Sequence, residues 1–313
     1  MGEAATGRVL ITGANGHLGR RLIQAWSGSG GGARRVRAVV RSDSAAATLR
    51  EDCDLADADL AILDYGDRDA LARAADDCEA AIHLVGIIKE SSRSRYADAH
   101  EATCAALVDV AARTGLRRIL HLSIVGSDPG SDNACLASRG RADEILIGAS
   151  VPALVIRVPM VLGPDDFTSR ALRAQARSRF VPLLRGGAGR EQPIDSDDVV
   201  AALRRGVELP DFESRCLELA GPENLSRREL LQRCAALYGN EPRVIPIPRA
   251  LELGIARVLE IALSDPPLTR AMVGVLDHDD VVDTAPACDL LGITLTKLDT
   301  TLARCVGPGG RAA

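Results

Sequence analysis

Short apolar runs alternate with amphipathic stretches along the first half of the chain. Residues 8–12, 36–40, 60–63, 80–85, 117–122 and 153–158 are nearly continuous in Val, Leu, Ile and Ala. Helical spacing separates them, notably over residues 18–26, 67–77 and 97–114. Strands that are apolar on both faces and alternate with helices predict a parallel sheet covered on both sides. Right-handed crossovers then make it a doubly wound α/β sheet. After Gly163-Pro164 the rhythm changes. Residues 167–179 read as a helix, 181–190 as a Gly-containing hairpin-like connection, 197–206 as a helix and 216–220 as a return strand. From Ser226 the pattern is mostly helical, with prolines as punctuation. The expected division is a nucleotide-binding domain over 1–160, completed by a return segment at about 192–221, and a smaller C-terminal lobe over 161–313. The glycines at 28–32 read as a surface loop, and residues 250–263 as an amphipathic helix packed on its own lobe, with a peripheral membrane contact as the alternative.

Composition narrows the partners. The net charge of -5 argues against a nucleic-acid backbone as ligand, because such proteins present basic patches. Aromatic residues are only 2%, so the core must be aliphatic. Eight cysteines include no C-x-x-C pair and none lies near His at zinc-ligand spacing, so no metal site is expected and the thiols read as free in a reducing cytoplasm. No apolar run precedes Arg8, so no signal peptide is expected, and none elsewhere reaches the length of a membrane span. The opening six residues match a myristoylation pattern of a kind that arises by chance.

The chemistry begins at Thr12-Gly13-Ala14-Asn15-Gly16-His17-Leu18-Gly19, set between the first strand and the first helix. Gly13 permits the tight turn, Gly16 lets backbone approach a pyrophosphate, and Gly19 lets helix and strand pack closely. The helix start, at His17 and Leu18, then offers free N–H groups and a positive dipole to phosphate. A dinucleotide is the expected ligand. The second strand ends in Val39-Val40-Arg41 where an NAD site usually carries an acid. A guanidinium suits a 2'-phosphate, so NADP(H) is expected, whereas the nearby Asp43 pulls toward NAD(H).

These motifs resemble the atypical and extended short-chain dehydrogenase/reductases, the epimerase/dehydratase-like group, over nearly the whole chain. Leu63-Asp64 matches the acid that faces adenine, His83-Leu84-Val85-Gly86 the fourth-strand end beside the ribose, and Leu122-Ser123 the fifth-strand serine. Arg157 through Asp166 and residues 192–198 match later segments of the group. Within it, Gly86-Ile87-Ile88-Lys89-Glu90, Tyr96-Ala97-Asp98-Ala99-His100 and His121-Leu122-Ser123 resemble the branch holding the NADPH-binding accessory subunit of respiratory complex I and its bacterial relatives.

The resemblance implies a Tyr-x-x-x-Lys pair, and this chain has none. Tyr65, Tyr96 and Tyr238 are followed at the fourth position by Asp69, His100 and Pro242. The two lysines, Lys89 and Lys297, are preceded at that spacing by Val85 and Ile293. Aligned over 133–139, the pair becomes Cys135 and Arg139. Arg139 keeps a charge for ribose hydroxyls, while Cys135 reads either as an acid/base group or as a filler at a retired position. Ser123 reads either as a partner for a carbonyl or the nicotinamide amide or as an ordinary strand-end cap, His100 as an interior histidine, and Asp197 and Asp198 as helix caps. Two functions follow. One is an NADP(H)-binding protein using nucleotide as a structural or sensing ligand, in a respiratory or quinone-related assembly. The other is an oxidoreductase or epimerase-like enzyme with Ser123, Cys135 and Arg139 sharing the proton work.

Overall fold

The computed structural model describes residues 7–27, 34–53, 55–56, 59–210, 212–263, 266 and 269–309. The glycine loop expected at 28–32 and the myristoylation pattern lie outside the described residues.

Seven parallel strands form the central sheet. In chain order they are β1 (Arg8–Thr12), β2 (Val36–Val40), β3 (Leu60–Ile62), β4 (Cys78–His83), β5 (Arg118–Ile124), β6 (Ala153–Val158) and, after a detour through the second lobe, the edge strand Arg215–Glu218. The spatial order is that edge strand, then β6-β5-β4-β1-β2-β3. The order reverses between β1 and β4, which opens a crevice at the carboxyl ends of those two strands. Every residue of β1 is buried, because helices cover both faces of the sheet. On one face, α1 (His17–Ser27) presents Leu22, Ile23 and Trp26 to the sheet. The return helix α7 (Ser196–Glu208) lies beside it and adds Val199 and Leu203 to the same core. On the other face lie α3 (Arg68–Ala75), α4 (Thr103–Ala111) and α5 (Ala134–Ile147), with Leu71, Leu107 and Leu146 inside. A π-helical turn, Ala97–Ala102, leads into α4.

Capping residues set where these helices begin. Ser42 accepts from the Ala45 N–H at the start of α2 (Asp43–Asp52). Asn133 accepts from the N–H groups of Cys135 and Leu136, at 3.0 and 3.2 Å, and opens α5. Such a cap contributes about 1 kcal/mol. The amide of Asn133 also donates to the Ala271 carbonyl at 2.9 Å, tying α5 to the second lobe.

The second lobe has its own core of Leu172, Leu230, Leu298 and Leu302, drawn from α6 (Phe167–Arg177), α8 (Arg227–Ala236) and α12 (Leu298–Cys305). Two expectations change here. The stretch 181–190 is not a hairpin. Phe180–Leu184 is a strand that pairs in parallel with Arg243–Ile247, about sixty positions later, inside the region expected to be helical. Val181, Leu183 and Leu231 bury one another, and Gly186 and Gly187, both at positive φ, turn the chain away. The chain also returns to the sheet a second time: α11 (Ala285–Leu291) adds Ala287 and Leu291 to the core beside α1 and α7. Asp195 and Asp197, at the start of α7, pair with Arg304 of α12, and Asp197 also pairs with Arg21 of α1. Asp198 accepts from the backbone and hydroxyl of Thr296 at 2.8 Å. Asp195 is the residue that caps α7, accepting from the Asp197 N–H.

The helix expected at 250–263 is α9 (Arg249–Ala262), followed by α10 (Arg270–Leu276). Ala256 is buried, but Leu251, Ile255 and Val258 are 56%, 45% and 65% exposed. Their i, i+4, i+7 spacing aligns them in one outward stripe, so only the opposite face packs on the lobe. Among the described residues no helix is long and apolar enough to cross a membrane.

Candidate functional site

The crevice gathers Gly13, Asn15 and Gly16 from the first turn, Arg41 from the end of β2, and Val85 and Gly86 from the end of β4. Gly13 has φ 73°, a conformation that favours glycine, and a Cβ there would press on the Leu84 backbone at 3.0 Å. Gly19 packs so closely that a Cβ would stand 2.5 Å from the Ala14 carbonyl oxygen. Tyr65, which sequence reasoning assigned no role, props the turn from below. Its hydroxyl accepts from the Gly13 N–H at 3.1 Å and donates to the Val39 carbonyl at 3.3 Å, while the Arg41 guanidinium stands 5.6 Å over its ring. Its place directly after Asp64, at the mouth of β3, was the available signal.

The side chains of three other expected residues have these surroundings. Asp64 is exposed and caps its own turn, accepting from Gly66 N–H at 2.8 Å. His17 faces Gly163 and Ser196 at the junction of the lobes, where burial lowers its pKa. Leu18 packs against the core beneath α1.

Arg139 is the most informative side chain. It is 8% exposed, and its sole hydrogen bond among the described residues runs from Nη1 to the Leu122 carbonyl at 3.2 Å. Its Nε is buried without a partner, and burial lowers its pKa. A Cβ on Gly86 would overlap Nη2 and stand 2.5 Å from Cζ. A buried guanidinium with idle donors beside the crevice calls for an acceptor-rich ligand. The hydroxyls and amide of a dinucleotide's nicotinamide ribose half meet that need. The left-handed glycine, the Gly-lined turn at the start of α1 and Arg139 therefore fit the nucleotide.

Below Arg139 lies a buried polar network. His83 bonds Thr12 Oγ1 through Nδ1 at 2.7 Å and Thr103 Oγ1 through Nε2 at 3.2 Å. His121 donates from Nδ1 to the His83 carbonyl at 3.1 Å, and its Nε2 lies 3.7 Å from Asp143 Oδ1. Asp143 pairs with Arg157 at 2.8 Å. Burial lowers the pKa of His83 to about 3 and that of His121 well below its usual value, with Arg139 adding to both. His83, His121 and Cys104 bring one ligand atom each within 4.8 Å of one another, a trio that sequence spacing did not connect. Both His83 nitrogens already serve threonines, and the Arg139 charge opposes a cation there, so the trio reads as a hydrogen-bonded core. Ser123 is 1% exposed, with its hydroxyl 3.3 Å from that of Ser127.

Cys135 is fully buried, and burial pushes its thiol pKa up. Its Sγ lies 3.7 Å from the Ile87 carbonyl and within hydrogen-bonding reach of the Tyr96 hydroxyl. His100 Nε2 lies 3.1 Å from both the N–H and the carbonyl of Ile87, and burial holds its pKa to about 3. Beside this group opens a cavity of ≈ 610 Å³ between the lobes. Its polar wall includes Glu90, Arg95, Asp132 and Arg270, and its rim includes Leu263 at the end of α9.

Fold and site define a class: a dinucleotide-binding Rossmann protein of the short-chain dehydrogenase/reductase type. The chain belongs to the NAD(P)H-binding family whose model matches residues 13–192. It is 30% identical over 250 residues to the ceramide reductase of Caulobacter vibrioides, an alignment covering 79% of this chain and 76% of that one. It is 24% identical over 279 residues to a mitochondrial NADH dehydrogenase (ubiquinone) 1 alpha subcomplex subunit 9 of Arabidopsis thaliana, covering 87% and 68%. The triphenylmethane reductase of Citrobacter sp. shares the fold, with a TM-score of 0.74 at 17% identity over 96% of this chain and 99% of that one.

Proposed function

We propose that this protein is an NADP(H)-dependent reductase of a carbonyl group carried on an amphiphilic, long-chain molecule. The observation that carries the reading is the place of Leu263. That residue lines the polar cavity and is itself 45% exposed at the end of α9, the helix that also carries the exposed Leu251, Ile255 and Val258. A polar head fits among Glu90, Arg95 and Arg270, and an alkyl chain fits the stripe. The name of the Caulobacter relative, a ceramide reductase, supports the same substrate class. Bound NADPH supplies the hydride. Residues 1–160 with the return segment at 192–221 hold the nucleotide, Arg41 answers its 2'-phosphate, and the later lobe shapes the substrate. In this reading the body lies in the cytoplasm and α9 rests on a membrane surface.

The test is NADPH oxidation with a long-chain acylamino ketone and with the same head group cut back to a short chain. Turnover that favours the long chain, and loses that preference in Val258→Asp, is the expected result. A protein that binds NADPH and reduces neither compound overturns the reading.

A second reading has its own support. The Tyr-x-x-x-Lys pair is absent, Cys135 is buried, and the Arabidopsis relative is named as a subunit of a respiratory complex. Nucleotide would then be a structural or sensing ligand within an assembly. That reading predicts a large rise in thermal stability with NADPH and no turnover of any carbonyl.

A further inference from the structure

The phenol missing from α5 has a counterpart in space. Cys135 and Arg139 lie one helical turn apart on the same face of α5, with Arg139 against Gly86 at the crevice. The Tyr96 hydroxyl reaches the Cys135 thiol from a different element, the segment just before the π-helical turn. We propose that Tyr96 donates the proton to the substrate oxygen, from the position that α5 leaves to Cys135. The proposal rests on the reductase reading above.

Three features favour it. Tyr96 stands in the wall of the cavity beside Asn133 and Ala134 and is only 5% exposed. The side chain is held in advance: the ring stacks on His100 at 5.6 Å, the backbone N–H donates to Glu90 at 2.8 Å, and the hydroxyl donates to the Ile88 carbonyl at 2.7 Å. Burial, followed by Cys135, Glu90 and Glu260, raises the phenol's pKa, which keeps the hydroxyl protonated at neutral pH.

The step balances simply. The carbonyl carbon gains a C–H bond from the hydride of bound NADPH, which leaves as NADP⁺. The C=O π pair moves onto oxygen, and that oxygen takes the Tyr96 proton to give the alcohol. Solvent returns a proton to Tyr96 through the cavity.

The chain has three tyrosines, so fluorotyrosine labelling gives three fluorine resonances, assigned with Tyr96→Phe and Tyr65→Phe. Full NADP⁺ should move Tyr65 and Tyr96. The fragment lacking nicotinamide, 2'-phospho-ADP-ribose, should move Tyr65 alone. Tyr238, in the other lobe against Val306, should stay put in both. A Tyr96 resonance unmoved by the full dinucleotide, while Tyr65 shifts, overturns the proposal. In turnover, Tyr96→Phe keeps the ring and its stacking on His100. Its kcat should fall about 10²–10⁴-fold with NADPH affinity and KM near those of the parent. An unchanged kcat overturns the proposal as well. Failure of the reductase reading looks different: both resonances move, and the parent protein reduces no carbonyl.

Discussion

Replacing Gly86 by Ala tests whether the seat of Arg139 is what holds the nicotinamide half of the nucleotide. The new methyl group overlaps Nη2 and stands 2.5 Å from Cζ. The clash is with the end of a side chain, so the backbone need not move. Arg139 must leave, however, and it is a buried residue with one hydrogen bond, to Leu122. Hydrogen bonds to a charged group contribute about 1.5–3 kcal/mol each. Losing one such bond to bound nucleotide corresponds to binding weaker by roughly 10- to 100-fold. Folding should suffer less, because the displaced guanidinium gives up a single bond and an unpaired Nε. Calorimetric titration with NADPH measures the first quantity and urea unfolding without nucleotide the second. Gly254→Ala is the control: it lies on α9 with nothing near its Cβ position and should gain up to about 1 kcal/mol of helix stability without touching affinity. A Gly86→Ala protein that binds NADPH like the parent would refute the reasoning, and Arg139 would then have no part in binding.

Three further outcomes are expected. Arg41→Ala should weaken NADPH by about 10- to 100-fold and leave NADH nearly unchanged, since only the 2'-phosphate loses its bidentate partner; equal losses for both nucleotides would remove Arg41 from cofactor choice. Stability should fall as pH drops below about 6.5, because His83 and His100 stay neutral in the folded chain down to about 3 while the unfolded chain takes up protons. Each contributes about 2 kcal/mol of lost stability by pH 5, and His121 acts in the same direction, so matching urea midpoints at pH 7 and pH 5 would contradict the buried-imidazole account. Iodoacetamide should label Cys216 and Cys288 in the native protein and spare Cys135 until unfolding, as read by mass spectrometry; rapid native labelling of Cys135 would mean that its thiol is open to the cavity.

Much of the nucleotide half was legible in the order of residues. Fully buried parallel strands must be apolar on both faces, so β1, β2, β4, β5 and β6 announce themselves as short aliphatic runs. The Gly13–Gly19 spacing carries its own geometry, because a left-handed turn and a close helix approach both demand glycine. Arg41 and Gly86 follow, since a strand end is fixed by the strand. The second lobe was less legible. Phe180–Leu184 and Arg243–Ile247 form a two-stranded pair whose members are both edges, which tolerates Pro246 and partial exposure and so erases the alternating pattern.

Local sequence therefore determines the crevice, whose glycines and strand ends act through nearby backbone. Which side chains meet across the crevice depends on long-range packing. Tyr65 under Gly13, Arg139 against Gly86 and Tyr96 beside Cys135 join residues 52, 53 and 39 positions apart, on elements that touch only after the sheet has closed. A motif such as Tyr-x-x-x-Lys records neighbours on one helix. It is blind to a side chain brought beside that helix by a distant segment, because proximity in the folded chain is set by sheet order and crossover, not by spacing along the backbone.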